Sequence, residues 1–350
     1  GVKRGQHDRN LWAKNFRNEI IKNPNFPIIK QSVNLELTNH ELPKFFYDST
    51  PCPHRQKGGS VEAEKLLQSF LNKRVENYQF EMSSPITAEK SCSRLSTHLT
   101  YGTISHRAVF QEATKKRDQI KHTNKNFAKS INSFLSRLHW RSHFIQKLED
   151  QPSIEHTSFI PVYDQIREKD EEKLEAWIEG KTGVHFIDAC MIYLRNYGWI
   201  NFRMRAMLAS FASYNLWLDW RYFAPRLAAL FTDFEPGIHY SQIQMQSGTT
   251  GINTIRMYNP YKQAMDQDPL AKFIKSQIPK VKNFPPAFFH NPPKKSLNVN
   301  LFDNEFQKEI INVKETAQYA RKKIFDIRKS QEHKILAKNV YLKHGSRGRN

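Results

Sequence analysis

The segment Ser91-Cys92-Ser93-Arg94-Leu95-Ser96, with Tyr101-Gly102-Thr103-Ile104-Ser105 close behind, sets small hydroxyl side chains and a guanidinium ahead of a helical pattern. Two roles suit that set. Ser and Thr cap helices by accepting hydrogen bonds from the first free N–H groups. The same hydroxyls, with backbone N–H groups and an arginine, can instead cradle a diphosphate at a helix start. Taken alone, the motif reads as a cap. Cys52, Cys92 and Cys190 lie far apart and form no CxxC pair. That spacing argues against a disulfide framework and against a zinc or iron–sulfur site built from cysteines alone. No metal is expected, and a reducing cytoplasm is the simplest setting.

Helices must position these groups. Ala63, Leu66, Leu67, Phe70 and Leu71 recur at helical spacing, and further helical patterns run through 104–118, 127–149, 170–179, 184–197 and 200–231. Few stretches alternate, so the class expected is all-α. Trp177 to Phe231 is the most apolar and aromatic part and should form the core. Residues 233–260, with Gly237, Gly248 and Gly251 among Ser, Thr, Asn and Gln, read as an ordered loop. Beyond Pro260 the chain turns Pro- and Lys-rich (Pro269, Pro279, Pro285, Pro286, Pro292, Pro293). A final helix over roughly 304–338 carries Arg321, Lys322, Lys323, Arg328 and Lys329, ahead of a basic, mobile tail over 343–349. The divisions drawn are a connecting segment 1–60, a helical domain 61–290 and a basic C-terminal helix and tail 291–350. The start, Gly1-Val2-Lys3-Arg4, has neither an initiator Met nor an apolar signal region and reads as a fragment or processed form. The best apolar run, Met204 to Trp217, carries Arg205 and is flanked by Arg203 and Asp219, so no membrane span is expected.

The remaining motifs follow in order. Trp177-Ile178-Glu179-Gly180-Lys181-Thr182-Gly183 leads into Ile187-Asp188-Ala189. Then come Gly198-Trp199-Ile200-Asn201, Arg203, Arg205 and Asp219-Trp220-Arg221. Arg256-Met257-Tyr258-Asn259-Pro260 follows, with Gln263 and Asp268-Pro269. Their order and spacing, from about Gly58 to about Pro269, resemble the FAD-binding domain of the photolyase/cryptochrome family. Gly1 to Trp12 is similar to the segment that follows the family's α/β antenna domain, which by this resemblance is absent. The resemblance implies FAD as cofactor, with Tyr78, Ser93, Arg94, Leu95 and Ser96 at its phosphates and ribitol and Arg141 on the neighbouring helix. Arg205 and Asp233 match an ion pair beside the isoalloxazine ring, where a cation stabilises the reduced, anionic flavin. Glu235 joins the cofactor-binding set. His239 falls where the family faces flavin N5, usually with Asn, and an imidazole there could hydrogen-bond N5 or pass it a proton.

The resemblance also implies damaged DNA as partner. A repair enzyme of this family flips the lesion into a cavity over the flavin, and Trp140 matches one aromatic wall of that cavity. Arg203 belongs to the same pocket. Other positions depart from the pattern: Arg137 replaces the carboxylate that bonds the pyrimidines, Phe202 an Asn, Ala206 a Met and Met245 a Trp. Asn201, Phe202 and Ala206 also leave no evident acid for (6-4) photoproducts. Of the tryptophan electron-transfer chain, Trp220 matches the middle member. The flavin-proximal position is Ile243, and the surface position falls in the Ile166–Arg167 stretch. Trp199, Trp217, Tyr214 and Tyr222 offer another path, or plain core.

Charge bears on the choice of function. Lys plus Arg number 54 against 34 Asp plus Glu, a net +20. Such an excess opposes compaction and is usual for partners of polyanions, although a basic proteome would produce it too. The expected function is light-driven repair of pyrimidine dimers by electron transfer from reduced FAD, in a protein located with DNA. The alternative is a cryptochrome-like blue-light receptor that binds FAD without repair. The +20 and Trp140 favour the first, and Arg137, Phe202, Ala206 and Met245 favour the second. A basic nucleic-acid binder without flavin would make the ordered motifs a coincidence.

Overall fold

Capping side chains and apolar spacing together set where the helices run. A computed structural model describes residues 9–22, 51–291 and 308–345. Its longer helices are α1 (Arg9–Lys22), α2 (Ser60–Asn72), α3 (His106–Ile120), α4 (Lys125–Asp150), α5 (Glu171–Ile178) and α6 (His185–Tyr197). These are followed by α7 (Phe202–Ser210), α8 (Trp220–Ala229), α9 (Pro236–Ser247), α10 (Pro260–Gln267), α11 (Val313–Lys329) and α12 (Gln331–His344). Among the described residues there is no β-strand, only an isolated bridge between Glu168 and Leu218. Asn124, Asp170, Asp219, Asn259, Asn312 and Ser330 cap α4, α5, α8, α10, α11 and α12 through side-chain oxygens. Gly198 and Gly248, both left-handed, end α6 and α9.

The apolar faces meet in three clusters. Trp12 and Phe16 of α1, Leu67 and Phe70 of α2, Phe110 of α3 and Phe134 of α4 form one. The largest gathers α5 to α10 around Trp177, Met191, Leu208, Trp220, Phe223 and Ile243. It matches the core expected over Trp177 to Phe231. In the third, Ala320 and Ile324 of α11 cover Ile160, Tyr163, Tyr214 and Trp217. Helix α12 is held down by two histidines. His333 Nε2 lies 2.9 Å from Tyr163 Oη, and His344 Nε2 lies 2.8 Å from Gln151 Oε1.

The all-α class holds among the described residues, but several expected segments differ. Residues 233–260 are not a loop throughout, because Pro236 to Ser247 form α9. Its starting proline and left-handed Gly248 are good end signals, which the Gly, Ser and Gln content obscured. The pattern over 200–231 is broken: α7 passes into a π-helical turn, Phe211–Asn215, and Trp217 turns left-handed (φ 57°) before Asp219 caps α8. The helix expected over 304–338 is a pair. Residues 308–312 are not helical, and Ser330, extended, ends α11 and caps α12. Lys343 and His344 finish α12, with His344 buried, rather than opening a tail. Residues 346–349, Pro292 and Pro293, and positions 23–50 of the connecting segment lie outside the described residues.

The crossing of α9 over α4 depends on Gly237. A β-carbon there would stand 2.6 Å from Ile145 Cα and 3.2 Å from the Phe144 carbonyl oxygen. Alanine is otherwise better than glycine in a helix by about 1 kcal/mol. Here the opposing atoms are backbone and cannot rotate away, so the contact should outweigh the propensity. Gly237→Ala is expected to lower stability by about 1–3 kcal/mol, the usual cost of overpacking. Chemical denaturation checks it, and a stabilised variant would show that α9 can slide on α4.

Candidate cofactor site

Arg205 and Asp233 form the centre. Arg205 Nε donates to the Ile200 carbonyl at 2.7 Å, and Nη2 donates to Asp233 Oδ2 at 2.8 Å. The guanidinium also lies over the Phe231 ring, 4.2 Å from its centroid. With its backbone and aromatic contacts fixed, the side chain has little freedom to follow a displaced partner. The Asp233 side chain is 3% exposed, yet its Oδ1 has no hydrogen-bond partner.

Arg94 comes in from the hydroxyl segment. It is left-handed (φ 61°), a conformation that costs an ordinary residue about 1–2 kcal/mol. Contacts around it hold that turn. Gln56 Nε2 donates to the Arg94 carbonyl at 2.8 Å, and Arg74 donates to the Cys92 carbonyl and, at 3.2 Å, to that of Ser93. The Arg94 guanidinium stacks on Trp199 at 3.8 Å, and its buried Nη1 is unpaired. Burial pulls its pKa down, Tyr193, Glu89 and Asp233 oppose that, and Arg205 adds to it. The Ser93 hydroxyl accepts from Leu95 N at 3.3 Å, and Ser96 opens the short helix Ser96–Thr100. Leu95 is fully buried, backbone included. Cys92, near Arg94, Arg74 and Arg205, has its thiol pushed up to about 12 by burial and is neutral.

A second ion pair ties α4 to the start of α9: Arg141 Nη2 donates to Glu235 Oε2 and to the Leu99 carbonyl, both at 3.2 Å. Tyr78 is buried, which raises its hydroxyl pKa, and the Arg137 guanidinium stands beside that hydroxyl. His239 sits among Phe231, Phe234 and Tyr240. Burial pulls its pKa down to about 4, so it is neutral at pH 7. Nε2 lies 2.9 Å from the Ala224 carbonyl, which can only accept, so Nε2 carries the proton. Nδ1 is then an acceptor with no proton to give. That narrows the two roles expected of His239 to accepting a hydrogen bond.

The expected pocket residues fall on α4, α7 and α9, the helices that also carry Arg141, Arg205 and His239. Trp140 is half-buried on α4 and stacks on Phe144, and Met245 is half-buried on α9, the helix that crosses α4 at Gly237. Phe202 is 56% exposed at the first turn of α7, next to the half-buried Arg203, whose Nε is unpaired. Trp220 stands apart in the core, its Nε1 donating to Ser158 Oγ at 2.9 Å, with the Tyr240 ring 6.4 Å away. Arg167, in the stretch expected at the surface, is buried and donates to the Ser213 and Ser247 carbonyls. Sequence reasoning passed over Arg74, Gln56 and the stacking of Trp199 on Arg94. No local motif marks them, because each acts through a contact between distant segments. Among the described residues, no group of three or more His, Cys, Asp or Glu could hold a metal ion, and no helix is long and apolar enough to cross a membrane.

Arg94 Nη1, Arg203 Nε and Asp233 Oδ1 are buried polar atoms without partners, and each is costly unless something bonds it. Arg94 and Asp233 are close enough to interact, and a cationic donor beside a carboxylate acceptor fits a polar ligand with both an anionic group and donors. FAD is such a molecule, with a diphosphate and a ring bearing N–H groups. Residues 134–333, more than half of the chain, match the family described as the FAD binding domain of DNA photolyase. The chain belongs to the photolyase/cryptochrome family. It is 27% identical over 74% of its length to a deoxyribodipyrimidine photo-lyase of Alkalihalophilus pseudofirmus, covering 52% of that protein. It is 32% identical over 67% of its length to cryptochrome-2 of Arabidopsis thaliana, covering 39% of it. A solved photolyase of Sulfolobus tokodaii, holding two FAD molecules, superposes with a TM-score of 0.62 at 28% identity over 77% of this chain and 57% of that one. The chain spans about half the length of the curated photolyases it matches.

The buried histidine of the site has a consequence for stability. His239 in the folded chain titrates near 4, below the ordinary 6.5, so the unfolded chain binds more protons between those values. Stability therefore rises with pH from about 4 to about 6.5, by at most about 3–4 kcal/mol from this residue. His239→Asn is expected to flatten that slope without abolishing it, because His106 is likewise held near 4 by burial. Thermal unfolding from pH 4 to 7 measures both, and an identical slope in the variant would contradict a buried neutral His239.

Proposed function

We propose that this chain binds FAD and uses it for light-driven repair of pyrimidine dimers in DNA. The observation that carries the proposal is the two unpaired buried atoms Arg94 Nη1 and Asp233 Oδ1, in side chains that interact with each other beside Arg205. Arg94, with the Ser93 and Ser96 hydroxyls, Leu95 and Tyr78, would hold the diphosphate and ribitol. The Arg141–Glu235 pair would close that end. Arg205 would place its cation beside the flavin ring and favour the reduced, anionic form, while Asp233 holds the guanidinium in position. His239 would accept a hydrogen bond at the ring. The chemistry FAD supplies when bound is absorption of blue light in its reduced form and the loan of one electron to the dimer, whose cyclobutane bonds split before the electron returns. Trp140, Arg203, Phe202 and Met245 would line the lesion cavity, and the net +20 supports DNA as partner. Trp220 would serve in flavin photoreduction.

A second reading, a blue-light receptor that keeps FAD and does not repair, draws support from Arg137. Where repair enzymes carry a carboxylate for the bases, this guanidinium stands beside the Tyr78 hydroxyl. Exposed Phe202 and the similarity to cryptochrome-2 point the same way.

Two measurements test the proposal. Flavin-loaded protein, chemically reduced without oxygen, is mixed with an oligonucleotide carrying a cyclobutane thymine dimer and exposed to blue light. Recovery of thymine absorbance only under light is expected, and no recovery with reduced flavin bound favours the receptor. Arg205→Ala should make the bound flavin harder to reduce and, by leaving buried Asp233 unpaired, cost about 3–5 kcal/mol of stability. Unchanged flavin potentials in that variant would count against the assignment of Arg205.

A further inference from the structure

Helix α11 has more exposed surface than its packing requires. Its apolar side is already buried through Val313, Ala320 and Ile324, yet Phe325 remains 49% exposed on another side. Phe325 lines a groove of about 340 Å³ with Ile255, Met257 and Arg321. The facing segment is held in place: Arg328 Nη2 donates to the Asn253 carbonyl at 2.8 Å, and the Ser210 hydroxyl reaches the Arg256 carbonyl at 3.5 Å. The Arg256 side chain is exposed.

The charges beside the groove are ordered. Residues seven apart on a helix fall nearly in line, so Lys314, Arg321 and Arg328 make one wholly cationic row, and Glu315, Lys322 and Lys329 a second that opens on an acid. Phe325 lies between the rows. Arg328 is engaged with Asn253, and Lys329 lies 3.6 Å from Asp326 with both side chains more than half exposed, too open a pair to neutralise the row. Lys314, Arg321 and Lys322 are exposed.

We infer that this face of α11 binds single-stranded nucleic acid, with phosphates on Lys314, Arg321 and Lys322 and an unstacked base in the groove against Phe325. Cations that follow a backbone, interrupted by an exposed aromatic, are what single strands use, because every base has a face to stack. A duplex keeps its bases stacked inside and cannot reach Phe325. An anionic membrane would require the apolar side of α11, which the core already occupies. The surface is distinct from the candidate cofactor site, and its binding requires neither flavin nor light.

The test is fluorescence anisotropy of a labelled oligothymidylate and of a labelled undamaged duplex with the full chain in the dark, over a range of salt. Phe325→Ala should weaken oligothymidylate binding about tenfold, the factor for a stacking loss of about 1.4 kcal/mol. It should leave the salt slope and the duplex affinity unchanged, and Phe325→Trp should restore binding. Lys314→Glu with Arg321→Glu should flatten the log–log salt slope for the oligothymidylate by about 1.4 or more. Thermal unfolding of each variant is measured alongside, and a midpoint equal to wild type assigns the loss to the surface. Unchanged oligothymidylate affinity in Phe325→Ala overturns the inference. So does an equal loss on duplex and single strand, which would make the face a general polyanion contact.

Discussion

Burying Asp233 creates a demand that organises the surrounding structure. A carboxylate with a side chain 3% exposed is costly unless paired, and Arg205 pairs it from α7. Arg205 can do so because its Nε is fixed on the Ile200 carbonyl and its guanidinium rests on Phe231. The pair thus ties the start of α7 to the segment entering α9. Two residues beyond Asp233, Glu235 meets Arg141 of α4, and two beyond that Gly237 lets α9 pass against α4 backbone. Three helices are set relative to one another within five residues of chain, and those are the helices that carry Trp140, Arg203 and Met245.

The second constraint is polar. The site leaves Arg94 Nη1 and Asp233 Oδ1 unpaired, while nearby backbone is tied down closely. The left-handed turn at Arg94 persists because Gln56 and Arg74 hold its carbonyl and those of Cys92 and Ser93. Rigid backbone around unsatisfied side-chain groups is the arrangement expected of a preformed ligand site, where the ligand supplies the missing hydrogen bonds. His239 follows the same logic: its proton is held by the Ala224 carbonyl, and aromatic rings keep it neutral. The C-terminal pair α11 and α12 plays a different part. It closes the third cluster through Ala320 and Ile324 and anchors α12 by His333 and His344, leaving its cationic rows outward.

Much of the helical class and the order of the site motifs could be read from the residues alone. Apolar spacing from Ala63 to Leu71 and within 127–149 marks buried stripes directly, because propensity and periodicity are local properties. The motifs around Arg94, Arg205 and Asp233 were legible as a resemblance, and the family match over residues 134–333 spans Arg205 and Asp233 but not Arg94. What failed was local chemistry overridden by distant contacts. Helix α9 looked like a loop because Gly237, Ser241, Gln244 and Gln246 are poor core formers. Yet Gly237 is there for Ile145, and Gln244 bonds the Ile154 and Thr157 carbonyls.

What the sequence determines by itself is therefore composition, charge and local pattern: a basic, all-α chain with cations and hydroxyls in a set order. The tertiary structure decides which of those groups meet. Arg94 and Trp199 are more than a hundred residues apart in sequence but stack at 3.8 Å. Arg167 fell in a stretch expected at the surface, yet two carbonyls make its burial tolerable. His239 could have given or accepted a proton, and only the Ala224 carbonyl fixes its tautomer. Burial and pairing are properties of the packed chain, because the free energy of a charge depends on what surrounds it in space and not on its neighbours in sequence.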